Sequence, residues 1–191
     1  MNICLYGASS ADIGANYLDA ARAFGQLLAQ HGHTLVYGGG AQGVMGAAAR
    51  GVTARGGSII GIAPSFFQVN GILYDDCTEF ITTGTMAERK ALMMARADAF
   101  VMAPGGFGTL EEFFEVLTLK QLGKHNPAIA VLNTDGFYNT LQAFVKEAVE
   151  RRFIREACLG LYALCGTPEQ TLAYLEGFDP NTLDVRHLKN I

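Results

Sequence analysis

Short apolar runs alternate with longer stretches whose apolar positions recur every three or four residues, and this alternation runs through most of the chain. Asn2–Tyr6 reads as a first strand, ending in the turn Gly7-Ala8-Ser9-Ser10. Ala15–His31 reads as a helix, because Tyr17, Ala21, Phe24 and Leu28 fall at i, i+4, i+7 and i+11 on one stripe; Gly32 stops it. Thr34–Tyr37 is a second strand, followed by Gly38-Gly39-Gly40 and a helix of small residues over Gly43–Arg55. Ser58–Ala63 is a third strand ending at Pro64, residues 65–76 are irregular, and Cys77–Thr82 is a short strand. The pattern then predicts a helix over Thr85–Ala97, a strand over Ala99–Ala103, a helix over Thr109–Gln121, a strand over Ile129–Leu132 and a helix over Tyr138–Arg151. Leu161–Cys165 reads as a last strand before a helix over Pro168–Leu175. Helices placed between buried strands force parallel crossovers, so the expected fold is α/β with a doubly wound parallel sheet. No internal repeat and no linker divides the chain, which is expected to form one domain over 1–191.

Composition narrows the function classes. Half of the 191 residues are apolar and 17% are charged, against a usual charged fraction of about 25%, which excludes disorder. Glycine is over-represented, at 23 residues, against an average of about 7%. The glycines follow no triplet period and only five prolines accompany them, which excludes collagen and a low-complexity tail. A net charge of −4 offers no field for a phosphate backbone, so no nucleic-acid partner is expected. Arg151-Arg152 with Arg155 then reads as a solvated helix end. The longest uncharged stretch, Gly56 to Tyr74, contains Pro64, Gln68, Asn70 and four glycines, so it reads as strand and loop, and no membrane association is expected. The N-terminus carries no signal-peptide pattern. Cys4, Cys77, Cys158 and Cys165 form no C-x-x-C pair, which points to reduced thiols in a cytoplasmic protein and to no metal site. His31, His33, His125 and His187 form no H-E-x-x-H, and no G-x-S-x-G elbow is present.

In a doubly wound sheet, ligands bind on the turns leaving the carboxyl ends of the strands. Gly38-Gly39-Gly40-Ala41-Gln42-Gly43 satisfies G-x-G-x-x-G, the dinucleotide fingerprint, but follows the second strand and lacks the acidic residue that holds a ribose diol about twenty positions on. Its glycines serve either close helix–strand packing or a phosphate. Pro104-Gly105-Gly106-Phe107-Gly108-Thr109 is a second such turn, where glycines allow φ > 0 and leave amides unshielded before a helix start, which makes an anion cradle suited to phosphate. No G-x-x-x-x-G-K-[ST] is present, so a nucleoside triphosphatase of the P-loop type is not supported.

On the helix that follows, Leu110, Phe113, Phe114 and Leu117 share one side, while Glu111, Glu112, Glu115 and Thr118 share the other. Thr109-x-x-Glu112 fits a capping box, and spacing alone leaves open whether Glu112 caps the helix or faces a ligand. Thr85-x-x-Glu88 fits another, and it brings Arg89 and Lys90 into a first turn where positive charge is disfavoured. Either an anion or a neighbouring glutamate answers them, and the planar fork of Arg89 suits a phosphate or a carboxylate.

Pro104-Gly105-Gly106-Phe107-Gly108-Thr109-Leu110-Glu111-Glu112 also fits P-G-G-x-G-T-x-x-E, with Glu115 continuing it. Upstream lie Met86 and Arg89-Lys90 in the pattern M-x-x-R-K, Gly38-Gly39-Gly40 with Gly43-Val44-Met45-Gly46, and Asn133-x-Asp135-Gly136-Phe137-Tyr138 follows after Gln121-Leu122-Gly123. In this ordered set the chain resembles the LONELY GUY (LOG) family, cytokinin riboside 5′-monophosphate phosphoribohydrolases, over nearly its whole length. The resemblance implies a Rossmann-like three-layer α/β/α fold and hydrolysis of a nucleoside 5′-monophosphate, AMP or an N6-substituted relative, to free base and ribose 5-phosphate without a cofactor. It also implies a homodimer with sites near the subunit interface and Arg89 and Glu112 as catalytic pair. Lys90, Gly105, Gly106, Phe107, Gly108, Thr109, Leu110, Glu111, Glu115 and Thr118 would bind the substrate. The chain departs from common family residues at Tyr6, Ala8, Ala87 and Leu119. The second functional class on the same scaffold is a nucleotide or cofactor carrier, which needs the cradle but neither Arg89 nor Glu112. Some relatives carry the label lysine decarboxylase, which the residue chemistry gives no reason to accept.

Overall fold

The fold follows from strands that are apolar on both sides. In the computed structural model, which describes residues 1–69, 71–182 and 188, Ile3, Cys4, Leu5 and Tyr6 are all buried. Such strands need cover on both faces. β1 (Asn2–Tyr6), β2 (Thr34–Tyr37), β3 (Ser58–Pro64), β4 (Glu79–Thr83), β5 (Ala99–Met102), β6 (Ala128–Leu132) and β7 (Ala163–Cys165) form one all-parallel sheet in the order β4-β3-β2-β1-β5-β6-β7. α1 (Ala15–Gln30), α2 (Gly43–Thr53) and α6 (Pro168–Gly177) cover the face onto which Ile3 and Leu5 point. α3 (Met86–Arg96), α4 (Phe107–Gln121) and α5 (Asn139–Glu150) cover the other, with Cys4 and Tyr6. The result is the three-layer, Rossmann-like arrangement expected.

Two glycines account for the tight fit of the first layer. A methyl group on Gly25 would lie 2.1 Å from the carbonyl oxygen of Ala48, and one on Gly51 would lie 2.1 Å from that of Arg22. α1 and α2 therefore touch backbone to backbone, and the buried Phe24 and Leu28 seal the crossing, each worth about 1.5–3 kcal/mol in transfer from water.

Element ends depart from the sequence reading where tertiary contacts intervene. α4 starts at Phe107 rather than Thr109, and β4 spans Glu79–Thr83 rather than Cys77–Thr82. Thr78 explains the second shift, because its hydroxyl rather than a strand carbonyl accepts the hydrogen bond from the Ile59 amide, at 3.0 Å. Residues 65–76 are not wholly irregular: Ser65–Phe67 form a single 3-10 turn, and the chain at 72–74 is laced to the glycine turn after β2. Ala41 N–H donates to the Ile72 carbonyl at 2.8 Å and Tyr74 N–H to that of Gly39 at 2.9 Å. Asn70, within that segment, lies outside the described residues, as does His187. The sheet order reverses at β1, with β2 on one side and β5 on the other, so the turns after β1 and β5 diverge and open a crevice.

Candidate active site

The crevice begins where β5 gives way to α4. Gly106 is the N-cap of α4, with extended backbone at φ −98° and ψ −150°, and no side chain caps it. The amides of residues 107–109 thus lack intrahelical acceptors and face the crevice with the positive end of the helix dipole. The expected positive φ is not used: Gly105, Gly106 and Gly108 all have ordinary backbone angles. What they supply is space. A methyl on Gly106 or Gly108 would meet nothing within 4 Å, so their bare backbone is open to a ligand, whereas one on Gly105 would lie 2.2 Å from Thr109 Oγ1. Thr109 is buried in the first turn rather than capping it, and the Thr109–Glu112 capping box does not form. Since the helix starts two residues early, Glu112 falls in the second turn, beyond reach of the N-cap.

α3 brings the cations. Here the capping reading holds: Thr85 Oγ1 accepts from the Glu88 amide at 3.1 Å, and Glu88 Oε2 accepts from the Gly84 amide at 2.8 Å. That cap aims Arg89 inward, where Nη1 donates to Glu112 Oε1 at 2.7 Å and Nε to the Ile62 carbonyl of β3 at 3.2 Å. Both partners are withdrawn from water, Arg89 at 6% and Glu112 at 9% exposure. Burial pushes the Glu112 carboxyl above its ordinary value of 4.5, and the Arg89 guanidinium opposes that rise. One residue on, Lys90 Nζ pairs with Glu111 and, at 2.9 Å, with Glu115. Glutamates therefore answer both cations.

A cavity of about 670 Å³ occupies the crevice. Arg89, Gly106, Phe107, Gly108, Thr109, Glu111 and Glu112 line it; Lys90, Gly105, Leu110, Glu115 and Thr118 are not on its wall. The double glutamate pairing holds Lys90 back, and Thr118 stands exposed further along α4. The Gly38–Gly43 run divides between the cavity wall and the packing of the layers. Gly38 and Gly40 line the cavity, while a methyl on Gly43 would lie 2.4 Å from the Ala8 carbonyl oxygen, so Gly43 is a packing residue. The Asn133–Tyr138 segment does not reach the cavity; it braces the cradle, with Tyr138 O–H donating to the Ala103 carbonyl at 2.9 Å and Asn133 Oδ1 accepting from the Tyr138 amide at 2.7 Å.

Several wall residues escaped the sequence reading. Ser9 and Ser10, in the turn after β1, line the cavity with their backbone against Gly43 at the head of α2. Met45, Phe67, Ile72, Leu73 and Met86 give the cavity an apolar wall. The position of Ser9-Ser10 after the first strand was the available signal; Phe67, Ile72 and Leu73 belong to no motif, and only the lacing at 72–74 brings them to the site.

Residues 45–175 match a family model described as possible lysine decarboxylase. A cytokinin riboside 5′-monophosphate phosphoribohydrolase of Arabidopsis thaliana is 38% identical over 178 residues, 93% of this chain and 84% of that protein. A probable enzyme of the same description from Oryza sativa subsp. japonica is 37% identical over 187 residues, 98% of this chain and 76% of that protein. Among solved structures, the molybdenum cofactor carrier protein of Chlamydomonas reinhardtii superposes with a TM-score of 0.71 at 24% identity, over 92% of this chain and 95% of that one. The molybdenum cofactor binding protein of Rippkaea orientalis does so with the same TM-score at 23% identity, over 92% and 94%. At that identity the structural likeness speaks for the fold, whereas the relatives in sequence span almost the whole chain: it belongs to the LOG family of cytokinin riboside 5′-monophosphate phosphoribohydrolases.

Proposed function

We propose that this protein hydrolyses the N-glycosidic bond of adenosine 5′-monophosphates, N6-substituted or plain, releasing the free base and ribose 5-phosphate. The observation that carries the reading is the buried Arg89–Glu112 pair on the cavity wall, next to the uncapped N-terminus of α4. A buried ion pair is poor value as a stability device, because desolvation cancels much of its attraction. Its position beside an anion cradle fits catalysis better.

The order of the strands supports one orientation of the substrate. From β5 the sheet runs through β1 and β2 to β3, so a nucleotide with its phosphate on the 106–109 amides extends past Ser9 and Ser10 toward Met45, Ile72 and Leu73. The dianion is met by helix amides and hydroxyls, the ribose by Glu112 and Arg89, and the base with its apolar substituent by the apolar wall. As the bond from sugar to base lengthens, the ribose gains oxocarbenium character, which the Glu112 carboxylate stabilises while water attacks. Arg89 anchors the substrate and holds the carboxylate in place. Lys90, through Glu111 and Glu115, keeps α3 and α4 in register beneath them.

Apolar side chains at the mouth support the remaining part of the reading, a homodimer. Phe107 is 94% exposed at the head of α4, and Phe67, Ile72 and Met86 are exposed around the same opening. A second copy would cover this rim.

The test is Glu112→Gln, with AMP and isopentenyladenosine monophosphate as substrates. Base release should fall by about 100-fold or more while nucleotide binding persists. Undiminished turnover in the variant excludes the assignment, and a wild-type protein that binds nucleotide without releasing base is a carrier instead.

A further inference from the structure

The glycine turn after β2 holds a feature that neither packing nor phosphate binding explains. A methyl group on Gly38 would lie 2.0 Å from Arg89 Nη2, 3.1 Å from its Cζ and 3.4 Å from its Nε, and these are its three nearest neighbours. Gly38 is buried and its φ is not in the left-handed region, so its backbone would accept alanine. The atoms nearest to a side chain there all belong to the guanidinium. Gly40, two residues on, faces instead the flexible end of Met45, at 2.9 Å from Cε.

We propose that Gly38 is a positioning residue for the reaction: the absent side chain is the seat of Arg89 Nη2, and it sets the angle at which the guanidinium meets both Glu112 and the substrate. This rests on the activity proposed above. Arg89 is held at two corners by directed bonds, Nε to the Ile62 carbonyl and Nη1 to Glu112. Among the described residues no hydrogen-bond acceptor is paired with Nη2. With Gly38 behind it, the Nη2 amine can lie flat on the backbone of the β2 turn while the group faces the cavity. Any β-carbon at position 38 lifts that corner, and tilting the planar fork turns the N–H groups at the other two corners out of line with their acceptors. The seat explains why glycine is needed where no positive φ calls for it.

The test compares Gly38→Ala with Gly177→Ala and reads both turnover and the carboxyl. For Gly38→Ala, kcat should fall by about 100-fold, the cost of a misplacement near 1 Å. KM should stay within about threefold, the signature of an interaction made in the transition state. Gly177→Ala should keep kcat within about threefold, since a methyl group there, at the end of α6 and off the cavity wall, meets nothing within 4 Å. In the free protein, NMR titration of the Glu112 carboxyl carbon should show its midpoint moving up in Gly38→Ala, because the guanidinium that opposes the rise has shifted. In an Arg89→Ala background the same change at 38 should leave the midpoint where it was. A Gly38→Ala protein with wild-type kcat and an unmoved carboxyl overturns the proposal, as does a loss confined to KM. If Gly38→Ala does not fold, Gly38→Ala/Arg89→Ala decides: its folding supports the seat, and its failure to fold overturns it. A wild-type protein without base release overturns the activity alone, because the titration reads the seat without turnover.

Discussion

Glu112 and Arg89 share a region withdrawn from water, where each charge is tolerable only in the company of the other. The carboxyl is pulled two ways, upward by burial and downward by the guanidinium, and burial prevails. The consequence for pH runs in one direction. A raised carboxyl takes up its proton above 4.5, so the ionised form is lost, as pH falls, before an exposed glutamate would lose it. Where the reaction needs the carboxylate, kcat should decline on the acid side in step with the Glu112 titration followed by NMR. A Glu112 midpoint at or below 4.5, or an acid limb unrelated to it, contradicts this account. The residue types at this site were legible in the sequence. The family resemblance paired Arg89 with Glu112, but no spacing showed their direct contact, because they lie in different helices and only the sheet brings those helices side by side.

At the scale of the element, α4 shows how far periodicity carries. Its apolar positions favour a face through Leu110, Phe113, Phe114 and Leu117. The face actually buried runs through Thr109, Glu112, Phe113, Val116 and Lys120, while Phe114 is partly exposed. Two charged side chains occupy that buried stripe because each finds a tertiary partner. Lys120 Nζ donates to the Pro127 carbonyl at 2.7 Å and lies 4.5 Å from the centre of the Phe178 ring, a cation–π contact. Burial still pulls its ammonium down from 10.5 to about 8. Between those values the unfolded chain holds a proton that the folded protein has lost, so Lys120 makes stability rise with pH over that window. Thermal unfolding of wild type and Lys120→Met across the window should show the wild type gaining on the variant as pH rises. Parallel curves would mean that the buried ammonium keeps its ordinary proton affinity. The caps of the helices divide in the same way. Thr85 and Glu88 cap α3 as their spacing predicts, whereas Thr109 does not cap α4, because the chain turns into a helix directly after Gly106.

For the whole molecule, the surplus of glycine finds several separate uses. Gly25 and Gly51 let two helices touch, Gly106 and Gly108 bare the helix amides, and Gly38 admits the guanidinium. The open cavity with its apolar rim is the part that a second copy would complete. Sedimentation at micromolar concentration should therefore give the mass of a dimer, and Phe107→Asp should shift it toward the monomer by burying an unpaired charge in the rim. A wild-type protein that sediments as a monomer removes the dimer from the proposed function.

The amino-acid sequence by itself determined the alternation of strands and helices, the parallel sheet that this alternation forces, and the two glycine-rich turns at its carboxyl edge. These are local or nearest-neighbour properties, carried by periodicity and by residues whose backbone preferences act within a few positions. Tertiary structure alone decided that Arg89 meets Glu112, that Lys90 turns to Glu111 and Glu115, that the chain at 72–74 walls the cavity and that Gly38 faces a guanidinium. Each of these joins segments far apart in the chain, and their distances depend on which strands lie side by side, which no local pattern encodes.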